Sequence, residues 1–114
     1  MASAVPLQRG VEARGILGCN QTHWYQIPLA QNEGLSILMN GQALDNAAGA
    51  AVALAIVDRN STTLNEAFAS VYARGPSWDH AEAKVAAQAD GIYYFHISEG
   101  AQSCQRVQYR VLAQ

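Results

Sequence analysis

Asp90-Gly91-Ile92-Tyr93-Tyr94-Phe95-His96-Ile97 is the stretch whose reading decides the fold. Gly91 carries no Cβ and accepts a positive φ at little cost, which suits the entry to a strand. The six residues after it are β-branched, aromatic or imidazole-bearing, the composition of a pleated, half-buried strand. At period two, Tyr93, Phe95 and Ile97 share one face while Tyr94 and His96 share the other. So aromatic a strand belongs in the middle of a sheet in a small β domain.

Working outward, similar segments recur with turn chemistry between them. Val11 to Leu17 ends at Gly18-Cys19-Asn20. His23 to Leu29 puts Tyr25, Ile27 and Leu29 on one side. Leu35, Ile37 and Met39 follow, and Asn40-Gly41 reads as a turn dipeptide. Val52, Leu54 and Ile56 alternate with Ala51, Ala53 and Ala55 before Asp58-Arg59-Asn60-Ser61 reverses the chain. Ala83, Val85, Ala87 and Ala89 fall in step, and Val107, Tyr109 and Val111 oppose Arg106, Gln108 and Arg110. About eight short strands at this spacing predict an all-β fold, a single antiparallel β-sandwich of jelly-roll type over residues 11–114. Residues 1–10 read as an extended N-terminal arm. The alternative is α+β with short helices near 63–73 and 79–90. Thr63-Leu64-Asn65-Glu66 has the form of a capping box, and Asp79 to Gly91 is alanine-rich with a capping residue before it and glycine after.

At 114 residues and 50% hydrophobic content the chain supports one domain with its own core. The net charge of −2 and the scatter of the seven lysines and arginines exclude a basic stripe and with it a nucleic-acid surface. Charged residues are only 14% of the chain, so its surface is largely Ala, Gln, Asn, Ser and Thr, which suits coverage by a partner. No apolar run is long enough to insert into a membrane. No secretory signal is read at the N-terminus. Cys19 and Cys104 allow at most one disulfide, worth about 4–5 kcal/mol in the chain-entropy picture. There is no C-x-x-C pair for zinc.

No catalytic signature is present: no H-E-x-x-H and no glycine-flanked serine. His23, His80 and His96 read as solvent-facing strand positions. Asp45, Asp58, Asp79 and Asp90 fall in expected turns, where carboxylates can cage calcium but more commonly bond their own turn. Asn20-Gln21-Thr22 and Asn60-Ser61-Thr62 match glycosylation acceptors. Trp24, Trp78 and Tyr94 are the aromatics left off the core pattern. They are the expected anchors of an interaction surface, either a protein hot spot or a platform for sugar rings.

In order, a glycine-containing first strand, Trp24-Tyr25-Gln26-Ile27, Gly34-Leu35-Ser36-Ile37, Ile56-Val57-Asp58, the Gly91–Ile97 strand and Tyr109-Arg110-Val111 follow one another. In this the chain resembles the bacterial pre-peptidase C-terminal domain family over about residues 11–113. The resemblance implies a jelly-roll β-sandwich that is a non-catalytic appendage of secreted proteins, often peptidases, serving secretion, localisation or substrate binding. The family carries acidic residues before its Trp-Tyr pair, where this chain has Thr22-His23.

Two functional expectations follow. The first is a non-enzymatic module, monomeric or homo-oligomeric, that docks on and stabilises or decorates a larger protein assembly, such as a virion surface, outside the cell. The alternative is an accessory or carbohydrate/substrate-binding domain of a secreted bacterial peptidase or other hydrolase. No cofactor is expected under either. Pairing of Cys19 with Cys104 would suit an extracellular destination.

Overall fold

A computed structural model describes residues 4–18, 21–44, 50–71, 78–99 and 106–114. Within them the chain forms nine strands: β1 Val5–Pro6, β2 Ala13–Leu17, β3 Thr22–Leu29, β4 Gly34–Ala43, β5 Ala50–Val57, β6 Thr63–Val71, β7 Asp79–Ala86, β8 Gly91–Glu99 and β9 Val107–Ala113. They build two facing sheets, one ordered β1-β3-β8-β5-β6 and the other β2-β9-β4-β7. All pairs are antiparallel except β1, which runs parallel to β3. The fold is an all-β sandwich. No described helix is long and apolar enough to cross a membrane.

Period-two alternation produces this architecture. Tyr93, Phe95 and Ile97 of β8 point between the sheets, as do Tyr25, Ile27 and Leu29 of β3 and Val107, Tyr109 and Val111 of β9. Phe95 and Ile97 are completely buried, and burials of that size contribute about 1.5–3 kcal/mol each. The Tyr25 and Phe95 rings stack with centroids 5.0 Å apart. Leu7, just past β1, also joins the core.

Among the described residues, the two segments with helical grammar form strands over Thr63–Val71 and Asp79–Ala86. A helix over 63–73 would have gathered Leu64, Phe68 and Val71 on one buried stripe. Instead Ala67 and Ala69 pack on the core while Phe68 is 71% exposed. In β7, Ala81 and Ala83 are buried and His80, Glu82 and Lys84 are exposed. Pairing with β5 and β4 and the two-residue hydrophobic period outweigh the helix propensity of alanine.

Asn40-Gly41 is not a turn. Both residues lie within β4, paired with β7 on one side and β9 on the other. Gly41 faces the core, where an added Cβ would meet Met39, Val107 and Val71 at ordinary contact distances of 3.4–3.5 Å. Nor is Asp79 in a turn, since it opens β7 opposite Gly41. Gly91 does take the expected unusual conformation, with φ at 156°. Cys19, Cys104, Asn20 and Asp45 lie outside the described residues.

Candidate functional site

The three expected anchors fall on two sides of the molecule. Trp24 and Tyr94 project from the outer face of the five-stranded sheet, where Trp24 pairs with His96 and Gln26 with Tyr94, making the two aromatics diagonal neighbours. The Trp24 and His96 rings lie 4.6 Å apart at a tilt of 54°. Trp78 precedes β7 and packs under the guanidinium of Arg110, which stands 4.7 Å above its ring. Arg110 is an outward residue of β9, so Trp78 belongs to the outer face of the four-stranded sheet.

Register defines the rest of the five-stranded face. Row by row it reads Thr22–Ser98–Ala53–Phe68, then Trp24–His96–Ala55–Glu66, then Gln26–Tyr94–Val57–Thr63. Small β5 side chains, Ala51, Ala53 and Ala55, make a floor between the aromatics of β3 and β8 and the Phe68 edge. Glu66 is the one formal charge among the strand residues of these rows.

His96 stands on the outer face, as alternation suggested, but is half-buried there. Its Nδ1 is buried with no hydrogen-bond partner. Burial lowers its pKa below the ordinary 6.5, an effect partly opposed by the Glu66 carboxylate. His23 also departs from expectation. It points between the sheets, and its Nδ1 lies 2.7 Å from the Tyr109 hydroxyl, which is 2.6 Å from the Tyr25 hydroxyl. Burial lowers the His23 pKa, while burial and then the Tyr25 contact push the Tyr109 pKa far above its usual value. This neutral chain ties β3 to β9 across the sandwich. It is a structural bond between the sheets, and period two alone could not reveal it.

A cleft of about 320 Å³ opens at one pole, between the β5–β6 turn and the β7–β8 connection. Asp58, Arg59, Asn60, Gln88, Asp90 and Ile92 are among its lining residues. Asp58 Oδ1 accepts from the backbone N–H groups of Asn60 and Thr62 at 2.9 and 3.0 Å, and Asp90 Oδ1 accepts from that of Gln31. Both carboxylates are thereby held in place by main-chain donors. Among the described residues no group of three or more His, Cys, Asp or Glu could hold a metal ion.

No family model matches the sequence, and no curated protein matches it. Solved structures do share the fold. The pre-peptidase C-terminal domain of a collagenase from Bacillus anthracis superposes with a TM-score of 0.69 at 15% identity, covering 98% of this chain and 95% of that one. PliG of Aeromonas hydrophila, a periplasmic inhibitor of g-type lysozyme, gives 0.59 at 13% identity over 97% and 96%. CBM35 of Abf62 from Cellvibrio japonicus gives 0.50 at 12% identity over 85% and 70%. At these identities the likeness is one of fold: a β-sandwich like that of pre-peptidase C-terminal domains.

Proposed function

We propose that this chain is a non-catalytic accessory module that binds glycan through the outer face of its five-stranded sheet. The observation that carries the reading is that face itself. Trp24, His96 and Tyr94 stand beside an alanine floor with one formal charge, Glu66, among them. Aromatic rings stack on the C–H faces of sugars, and amides and hydroxyls such as Gln26, Thr22 and Ser98 match sugar hydroxyls.

An extended peptide fits this face less well. Peptides that join sheets do so at an edge, through the unpaired backbone. Here β8 and β5 are paired on both sides, and β3 is paired with β8 along its length and with β1 over two residues, so the middle of the face offers side chains only.

The fold likeness to a collagenase's pre-peptidase C-terminal domain and to CBM35 supports attachment to, or action beside, a secreted hydrolase. Virion decoration finds no such support, and the accessory-domain alternative replaces it.

An extracellular or periplasmic setting belongs to the same proposal, and with it a Cys19–Cys104 disulfide. Leu17 and Val107 are register partners, so the strands leading toward the two cysteines run side by side. Thiol titration under denaturant should find no free thiol in the oxidised protein, whereas two per chain would end that part of the reading.

The direct test of function is a glycan array probed with wild type and Trp24→Ala. Binding by the first and loss in the second is expected. A folded wild type that binds no glycan would reject the reading.

A further inference from the structure

We propose that the aromatic face and the polar cleft are parts of one site, and that its ligand is a linear, uncharged glycan chain several sugars long, lying along β8. This rests on the glycan reading above. Ile92 is the joint between the two parts. It lines the cleft, and at period two it shares the outward side of β8 with Tyr94 and His96. Four residue steps at about 3.4 Å each separate Ile92 from His96 by roughly 13–14 Å, and the cleft extends the track further. That is longer than a single sugar ring.

The cleft offers what a polyol needs. The oxygens of Asp58 and Asp90 not engaged by main-chain donors accept from hydroxyls, and the Asn60 and Gln88 amides both donate and accept. Leu64 and Ile92, each about two-fifths exposed, give the ring an apolar surface. Because both carboxylates are already fixed by backbone N–H groups, little ordering remains to be done when a ligand arrives.

Charge sets the chemical class. Along the track, Asp58, Asp90 and Glu66 stand against Arg59, leaving it acidic overall. Uronic-acid and sulfated chains are therefore repelled and neutral chains are not.

The experiment is calorimetry with linear oligomers of β-1,4-linked glucose, xylose, mannose and N-acetylglucosamine, from mono- to hexasaccharide, beside oligogalacturonates. Wild type is compared with Gln88→Ala, Ile92→Ala and Trp24→Ala, with melting temperatures recorded for each. Affinity for the recognised neutral series should climb with each sugar until the chain joins cleft to Trp24. Gln88→Ala and Ile92→Ala should flatten the upper part of that climb and leave short oligomers unaffected, and oligogalacturonates should bind more weakly. An affinity already at its plateau with a disaccharide would overturn the joined site while leaving glycan binding intact. So would cleft variants that hold the hexasaccharide like wild type, or tighter binding of the acidic series. If no oligomer binds to the folded wild type, the glycan reading falls and this inference with it.

Discussion

The two outer faces of the sandwich are made by the same alternation, yet they end in opposite states. On the four-stranded sheet the side chains answer one another. Gln108 Nε2 donates to Gln42 Oε1 at 2.8 Å, Ser36 donates to Glu82 at 2.9 Å, Lys84 stands 3.7 Å from Glu82, and Arg110 covers Trp78. On the five-stranded sheet Trp24 leans on an imidazole whose buried Nδ1 has no partner, and the alanines beside it carry no group that could answer it. A face whose groups satisfy one another loses little by staying in water. A face with a partly exposed aromatic ledge gains from being covered.

The strongest way to break this contrast is to remove one tryptophan from each side. Trp24→Ala should weaken ligand binding by about 30-fold or more, the size of losing a hot-spot residue worth ~2 kcal/mol. Trp78→Ala should bind like wild type and lose only its contact with Arg110. Calorimetry on both proteins decides it, and equal losses would mean that the faces are not functionally distinct.

A second prediction perturbs the bond between the sheets without touching either outer face. A Cβ at Gly15 would sit 2.7 Å from the Tyr109 hydroxyl. That hydroxyl is pinned by both Tyr25 and His23 and cannot step aside freely. Gly15→Ala should cost about 1–3 kcal/mol through overpacking, read as a lower urea midpoint. Tyr109→Phe should cost a similar amount, about 1–3 kcal/mol, by leaving buried polar partners unpaired. Ligand affinity of the folded fraction should be unchanged in both, because the chain lies between the sheets. A large loss of affinity would show that the outer face depends on the core for its shape.

Most of the fold was legible because it is written at period two. Tyr25, Phe95, Ile97, Tyr109 and their neighbours announce their inward side by spacing alone. The ambiguity at 63–73 and 79–90 had a physical source: alanine favours helices in isolation, and only pairing with β5 and β4 reverses that preference. Asn40-Gly41 misled because the dipeptide's turn chemistry is local, whereas the pairing that keeps both residues extended comes from β7 and β9, far away in sequence. At the site, spacing put Trp24 and Tyr94 off the core but could not say that Trp78 sits on the opposite sheet, since that depends on strand order. Nor could it find the cleft, which is made where the β5–β6 turn approaches the connection that crosses between the sheets from β7 to β8.

The smallest expected effect concerns the imidazole at the centre of the aromatic face. Burial holds the His96 pKa below 6.5, and the Glu66 carboxylate, aligned with it across Ala55, works against that lowering. With the folded value depressed, the unfolded chain binds the proton first as pH falls. The stability contribution is therefore present in full above about 6.5, the unfolded value, and is lost as pH drops from there through the folded pKa. His23 acts in the same direction. Glu66→Gln removes the opposing charge, so the His96 titration should move to still lower pH, and the protein should go on losing stability further into the acid range than wild type does. Following the imidazole ring proton by NMR in both proteins measures the shift directly. A titration that stays in place, or moves upward, would mean that Glu66 does not act on His96 across the alanine floor.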